Sequence, residues 1–469
     1  MGSVTPTIRT VVEKLNKEGK KTGVVVVHLY RPFSVKYLFD VMPKSVERIC
    51  VLDRTKESGA SGDPLYLDVL EAFAQNKECK EMPLIICGRY GLSSKDTTPA
   101  HILSVFENLE SKNPKNYFTL GIVDDVTNTS LPLKPEISVL PKGTFEAKFY
   151  GLGADGTVGA NKNSIKIIGD NTDKYSQAYF DYDSKKSGGY TCSHLRFGDS
   201  PIQASYLVNT PDFVAVHVPS YLEKYDTLKG LKKGGTFLYN SPWDAEETKK
   251  HLPDYVKKYL AENDINMYII DATSIAQEIG LGNRTNTILQ SAFFKISNVI
   301  PYDLAVEQMK EFIVKSYGRK GENVVNMNYA AVDRGSDVTK VDIPKEWADI
   351  KVKEEKGNED EPDFIKNIVR PILAQKGNDL PVSAFNGYED GTFPAGTTEY
   401  EKRGIAVFVP EWNPDNCIQC NQCSLVCPHA AIRPVVMDDK EKANAPEGMT
   451  TIEMKAPKEL KGMNFRIQV

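Results

Sequence analysis

The chain has 469 residues, enough for several domains that each bury a core of their own. With 41% hydrophobic and 26% charged residues, a formal net charge of -5 and no basic block, it has neither the composition of a disordered chain nor the electrostatic footprint of a nucleic-acid binder. Its longest apolar run, Gly23 to Tyr30, is far too short for a bilayer and no apolar signal segment opens the chain, so a membrane partner is not expected.

In the first stretch, to about Pro135, apolar runs at Gly23 to Tyr30, Arg48 to Asp53, Leu84 to Cys87 and Phe118 to Val123 predict strands. Between them Ser34 to Val41, Leu65 to Phe73 and Pro99 to Leu109 carry helical spacing, the last with Thr97 or Thr98 as N-cap and Pro99 at the first helical position. Such alternation predicts a doubly wound parallel sheet. The helical pattern Val11 to Leu15 reads like one that follows an earlier strand, which would make Met1 an internal methionine.

After the Pro-rich link Leu131 to Pro135, a strand Thr144 to Tyr150 runs into Gly151-Leu152-Gly153-Ala154-Asp155-Gly156, a Gly-x-Gly-x-x-Gly turn before a helix. Amides of such a turn suit a phosphate. The motif alone leaves a dinucleotide, coenzyme A and a plain tight turn all open. Asp181 and Asp183 follow the next strand, Gln177 to Tyr182, as a loose echo of a ribose-binding acid. Strands at Phe213 to Val218, Gly235 to Tyr239 and Asn266 to Asp271, with helices at Thr273 to Gly280 and Asn286 to Phe294, predict a second α/β domain. His194 and Arg196 sit two apart on a strand and so share a face, either as a phosphate contact or as a satisfied structural pair.

From Thr339 to Asp363 the pattern dissolves into charge and reads as a solvated connection; Leu380 to Thr398 reads as irregular loop. Then comes Cys417-x-x-Cys420-x-x-Cys423-x-x-x-Cys427-Pro428, four thiols within eleven residues. The spacing is that of half a bacterial ferredoxin: three thiolates close on one cube of iron and sulfide, and the fourth points to a neighbouring cluster. Zinc, which more often separates its two cysteine pairs widely, and a reactive thiol pair are the alternatives. No further cysteine follows Cys427, so the partner motif lies on another chain or in a longer version of this one. The scattered Cys50, Cys79, Cys87 and Cys192 read as inert thiols, and the expected compartment is reducing, the cytoplasm or an anaerobic organelle.

Several stretches together resemble the pyruvate:ferredoxin (flavodoxin) oxidoreductases along the whole chain: Leu29 to Ser34, Val51 to Glu57, Gly151 to Lys166, Asp183 to Gly189, Ser193 to Gly198, Tyr400 to Gly404 and Cys417 to Pro434. The resemblance is to an internal portion of that long enzyme. It implies a transketolase-C-terminal-like domain at 1–135, a gamma domain that binds coenzyme A at 140–335, a charged linker with a Glu-Lys-Arg connector at 336–408, and part of a 4Fe-4S ferredoxin-type domain at 409–469. The fold expected is therefore two doubly wound-type α/β domains, an irregular connector and a partial ferredoxin-like α+β iron-sulfur domain.

What the resemblance implies further is oxidative decarboxylation of pyruvate with coenzyme A to acetyl-CoA and carbon dioxide, electrons leaving through 4Fe-4S clusters to ferredoxin or flavodoxin, and a homodimer in the full enzyme. Coenzyme A contacts would be Gly151, Leu152, Gly153, Ala154, Asp155, Asp183, Asn283, Asn326 and Asn328, and the cluster ligands Cys417, Cys420, Cys423 and Cys427. Asn283 as a helix cap and Asp183 as a turn cap are the plainer readings of those two. Thiamine diphosphate and magnesium would be held by domains outside this stretch, so no catalytic residue is assigned. A fusion of the pyruvate:NADP or sulfite-reductase type, or a noncatalytic electron-transfer or coenzyme A binding subunit, are the alternatives.

Overall fold

Residues 2–76, 81–185, 188–352, 360–401, 409–455 and 457–469 are described by a computed structural model. They fall in two units, 1–401 and 402–469.

The first part of the larger unit is a parallel sheet of β1 (Arg48–Asp53), β2 (Leu84–Arg89) and β3 (Phe118–Thr119) in that order. Helices cover both faces. Val11 and Leu15 of the helix Thr5–Lys17 pack with Ile102 and Val105 of Pro99–Glu110 against Ile86 and Phe118. On the other face Leu38 of Val35–Val41 and Val69 and Phe73 of Pro64–Gln75 cover Val51, Ile85 and Cys87. Thr98 is the N-cap of Pro99–Glu110, where it forms a capping box with His101. Two expected strands differ. Among the described residues Gly23 to Tyr30 pairs with no strand; Val27 and Tyr30 of the run pack on the core, while Leu29 is 72% exposed. Phe118 to Val123 shrinks to the two-residue strand Phe118–Thr119, with Val123 making an isolated bridge to Pro381. Apolarity marks a segment for burial but supplies no ladder partner.

The second part is a seven-stranded sheet ordered β10-β9-β8-β7-β4-β6-β5, built of β4 (Phe145–Leu152), β5 (Tyr175–Tyr182), β6 (Tyr190–Gly198), β7 (Phe213–Val216), β8 (Thr236–Asn240), β9 (Asn266–Ile270) and β10 (Thr339–Val341). Only its centre is parallel: β4, β7, β8 and β9 run together, whereas β6, β5 and β10 are antiparallel to their neighbours. The second α/β domain expected from strand and helix alternation is present and its sheet is mixed, since β5 and β6 are joined by a hairpin rather than a helical crossover. The helices Thr157–Asn171, Asn286–Ser297, Tyr302–Tyr317 and Glu322–Arg334 bury Phe149, Phe213 and Phe293 on one face. Ala245–His251 and Asp254–Glu262 lie over the opposite core of Val214, Val216, Val256 and Leu260. The two parts are stitched by Leu207 N donating to Asp96 Oδ2 at 3.0 Å and by the hydroxyls of Thr7 and Ser205 at 2.9 Å.

The charged stretch is more ordered than expected at its start, since β10 completes the sheet edge at 339–341. Leu380 to Thr398 has short helical turns only, as expected. In the smaller unit β11 (Arg433–Met437), β13 (Asn464–Gln468) and β12 (Ile452–Glu453) form an antiparallel sheet in that order, over a small core of Met454, Phe465 and Ile467 that Trp412 and Cys417 border. Among the described residues no helix is long and apolar enough to cross a membrane.

Candidate functional site

The glycine turn lies at the C-terminal edge of the parallel strands, where open α/β sheets hold ligands. Gly151 is required by a close approach: a Cβ there would stand 2.5 Å from Thr157 Oγ1, so the helix start presses directly onto β4. Gly156 caps the helix with φ 89°, and a Cβ on it would meet Asn286 at 2.8 Å. Ala154 also has a positive φ, 79°. Asp155 holds the turn from within. Its Oδ2 accepts from Leu152 N at 2.8 Å and its Oδ1 from Thr157 N at 2.7 Å. Gly153 N donates to Gly189 O at 2.7 Å. Asp155 N in turn donates to Leu152 O at 3.0 Å, so four turn amides are already engaged. The intrahelical ladder starts where Ala160 N donates to Gly156 O, which leaves the amides of Val158 and Gly159 ahead of it. A phosphate would meet those, with the positive end of a 15-residue helix behind them.

Asp183 is brought to the same place. Its amide donates to Tyr190 O at 2.9 Å, closing the hairpin whose Gly189 bonds the glycine turn. Its carboxylate accepts from Ser184 Oγ at 3.2 Å and lies 3.5 Å from Lys185 Nζ. Tyr190, Tyr221 and Tyr225 form an aromatic wall beside it, with Tyr225 at 4.9 Å from both others. Burial raises the Tyr221 and Tyr225 phenols, and the Asp183 charge adds to this in both.

The asparagines divide. Asn283 is exposed on the turn before the helix Asn286–Ser297, whose N-cap position is Thr285, so Asn283 is not its cap. Asn326 is exposed on Glu322–Arg334, whereas Asn328 is buried and bonds Val324 O of its own helix at 2.8 Å. That helix approaches the same turn, since a Cβ on Gly280 would lie 3.1 Å from Met327 Sδ. Asn286, absent from the sequence expectation, is the asparagine that touches the glycine turn.

His217 was also not singled out from sequence, although it follows a fully buried strand at the ligand-bearing edge. Its Nδ1 is 2.7 Å from Thr157 Oγ1, and burial lowers its pKa to about 4 against the opposing Asp155 charge. A neutral ring that accepts the Thr157 hydroxyl at Nδ1 carries its proton on Nε2. Among the described residues no protein group bonds that Nε2, Asn161 Nδ2 or Ser193 Oγ, all buried. Ser193 pairs with Phe149 across β4 and β6, and Ala215 pairs with Phe149 on the other side, so Ser193 and His217 share one sheet face. A polar layer thus underlies the helix that the glycine turn begins.

His194 and Arg196 are the satisfied structural pair. Arg196 Nε donates to Glu146 Oε1 at 2.9 Å, both side chains nearly excluded from solvent, and its other nitrogens reach Tyr206 O and Leu207 O. His194 Nδ1 accepts from Val208 N, and burial lowers its pKa far below the usual range. Burial likewise pushes the thiols of Cys50, Cys87 (to about 12) and Cys192 (to about 11) upward, which suits inert thiols. Cys79, Lys402 and Arg403 lie outside the described residues.

In the smaller unit Cys417 and Cys427 are half-buried, and Cys420 and Cys423 are exposed. Gln419 and Asn421 take positive φ, 61° and 58°, and bend the loop around them. The Cys427 thiol is lowered by the amides of Ile432, His429 and Ala431, the setting of a thiolate ligand. Among the described residues no three histidine, cysteine or carboxylate side chains are drawn together for a single ion. One zinc would need thiolates at about 2.3 Å from a common centre. A cube presents one iron to each thiolate and takes them further apart.

The pyruvate ferredoxin/flavodoxin oxidoreductase family matches residues 146–338, and its core domain II matches 1–102. A domain of unknown function matches 351–406 and a 4Fe-4S binding domain 409–432. The pyruvate:ferredoxin oxidoreductase of Moorella thermoacetica is 54% identical over 470 residues, all of this chain and 40% of that protein. The pyruvate-flavodoxin oxidoreductase of Enterobacter agglomerans is 54% identical over 452 residues, 96% of this chain and 38% of that protein. The mitochondrial pyruvate dehydrogenase [NADP(+)] of Euglena gracilis is 47% identical over 479 residues, all of this chain and 26% of that protein.

Proposed function

The chain belongs to the pyruvate:ferredoxin/flavodoxin oxidoreductase family, of whose first two relatives it spans about 40% of the length, and we propose that it supplies their coenzyme A platform and part of their electron path. In this reading the whole enzyme decarboxylates pyruvate oxidatively, acylates coenzyme A, and passes electrons to ferredoxin or flavodoxin. The convergence of the glycine turn, the Asp183 hairpin and the Asn286 helix start at one sheet edge carries the platform. Val158 and Gly159 would meet the pyrophosphate, Asp183 would accept from ribose or adenine, and Asn283 and Asn326 would bond the coenzyme from the exposed neighbouring turn and helix. Asp155 shapes the turn rather than reaching the ligand, and Asn328 supports its helix. Cys417, Cys420 and Cys423 would hold one cube and Cys427 a neighbouring one; such clusters supply one-electron transfer at low potential. No residue is assigned to thiamine diphosphate or magnesium.

Calorimetry of the 469-residue chain with coenzyme A and with NAD tests the platform. Coenzyme A is expected to bind more tightly, because Asp183 follows the edge strand β5, which β6 separates from β4, whereas a dinucleotide fold places its ribose acid on the strand next to the glycine turn. Asn283→Ala is expected to weaken it by about 1 to 3 kcal/mol with the melting point unchanged. Equal or tighter NAD binding would overturn the assignment. The Euglena relative leaves an NADP-linked whole enzyme as the second reading, and its test is whether reduction of ferredoxin or of NADP accompanies turnover in the complete protein.

A further inference from the structure

Residues 360–401, within the stretch matched by the domain of unknown function, have a core of their own. Phe364, Ile365 and Ile368 are buried there with Tyr388 and Tyr400 against them, and the Phe364 ring stands edge-on to Tyr388 at 4.7 Å and to Phe393 at 4.8 Å. From this core two grips reach the first α/β part. In the first, Val382 N donates to Val123 O at 2.9 Å beside the parallel bridge of Val123 with Pro381. Ser383 gives its amide to Asp125 Oδ1 at 3.0 Å and its hydroxyl to Asp125 Oδ2. The receiving loop is stiffened by Asp124, which accepts from the amides of Val126, Thr127 and Thr129. The second grip is Lys95, whose Nζ donates to Asn378 O at 3.1 Å and to its Oδ1 at 3.3 Å. At its far end the connector also meets the second α/β part, with Glu401 Oε1 3.2 Å from Lys185 Nζ.

Lys95 follows Ser93 and Ser94, held at φ 54° and 57°, a strain that persists where the surroundings over-determine it. The Lys95 backbone is itself extended, so its side chain and that of Asp96 leave the loop on opposite sides. Lys95 holds the connector, and Asp96 accepts the Leu207 amide of the second part at 3.0 Å. Adjacent residues of one loop thus carry both contacts. Domains joined by a link move relative to each other unless their interface is large and apolar, so such contacts decide how far they do.

We propose that the 360–401 segment is an interdomain clasp: by gripping Lys95 and the 123–125 loop it fixes the 91–98 loop, and through Asp96 it sets the first α/β part against the second. The clasp is independent of what the glycine turn binds. Its grips lie near the surface, so each contributes little and the clasp opens reversibly.

Native-state hydrogen exchange on the full 469-residue chain tests it, with Ser383→Ala and Asp125→Ala as variants that alter neither Asp96 nor Leu207. Both are expected to quicken exchange of the Val382 and Leu207 amides by about threefold to tenfold, and to leave those of Ile86 and Leu238, inside the two sheets, unchanged. Ser383→Thr, which keeps the hydroxyl, should retain the Leu207 protection of the unaltered chain. Quickened exchange at Val382 with Leu207 unchanged would overturn the clasp, leaving a connector that merely docks on the first part. Equal quickening at Leu207, Ile86 and Leu238 would overturn it too, because a global loss of stability then accounts for the change.

Discussion

Arg196→Met removes the cation from the most deeply buried ion pair of the seven-stranded sheet. Glu146 would keep a side chain that is 2% exposed, and lose its 2.9 Å partner. The carbonyls of Tyr206 and Leu207 and the amide oxygen of Gln177 would lose their donor at the same time. Breaking a buried pair from one side costs about 3 to 5 kcal/mol, since it strands a charge. Lys232, whose Nζ is 3.7 Å from Glu146 Oε2, and the Thr210 hydroxyl partly compensate, so the low end, about 3 kcal/mol, is expected. Native-state hydrogen exchange of the β4 and β6 amides reads this directly as protection lost by roughly a hundredfold. The double variant Arg196→Met, Glu146→Leu should lose less than the sum of its parts, because no charge is then left unpaired. A loss under about 1 kcal/mol, or full additivity, would refute the buried-pair account. If Arg196 instead served a ligand phosphate, coenzyme A affinity would fall while the protection stayed, which is the opposite pattern.

Burial holds the His217 pKa near 4 against 6.5 for a free imidazole, so the unfolded chain takes up its proton first as pH falls. Its contribution is complete above pH 6.5 and lost between 6.5 and 4, in total about 3 kcal/mol. Urea unfolding across that window should show a shallower pH dependence for His217→Gln; equal slopes would show that the imidazole is not held neutral. Cys423→Ala should sharply reduce the iron retained after anaerobic reconstitution, and the buried Cys192→Ala should leave it unchanged. Iron content equal in the two variants would remove the quartet from the metal site.

What the sequence determined by itself lies within a few residues of its own signal. The cysteine spacing, the Thr98 cap ahead of Pro99 and the glycine turn between β4 and its helix are set by neighbours along the chain, and each stands where its residues indicated. The helix and strand content of both α/β parts follows from the same local periodicity. Tertiary structure alone decided what pairs with what. The Gly23 to Tyr30 run has strand composition but gains no ladder partner among the described residues, and the antiparallel β6-β5 edge of the second sheet depends on a hairpin that periodicity does not distinguish from a crossover. The same holds for the site. Arg196 is structural only because Glu146 faces it across β4 and β6, and Asp155 spends both oxygens on its own turn. His217 reaches Thr157 because the parallel core sets the ends of β4 and β7 side by side, and Glu401 meets Lys185 through a return of the chain that no local pattern encodes. Electrostatic partners are chosen by distance in space, and sequence spacing reports that distance only within a turn, a helix or a strand.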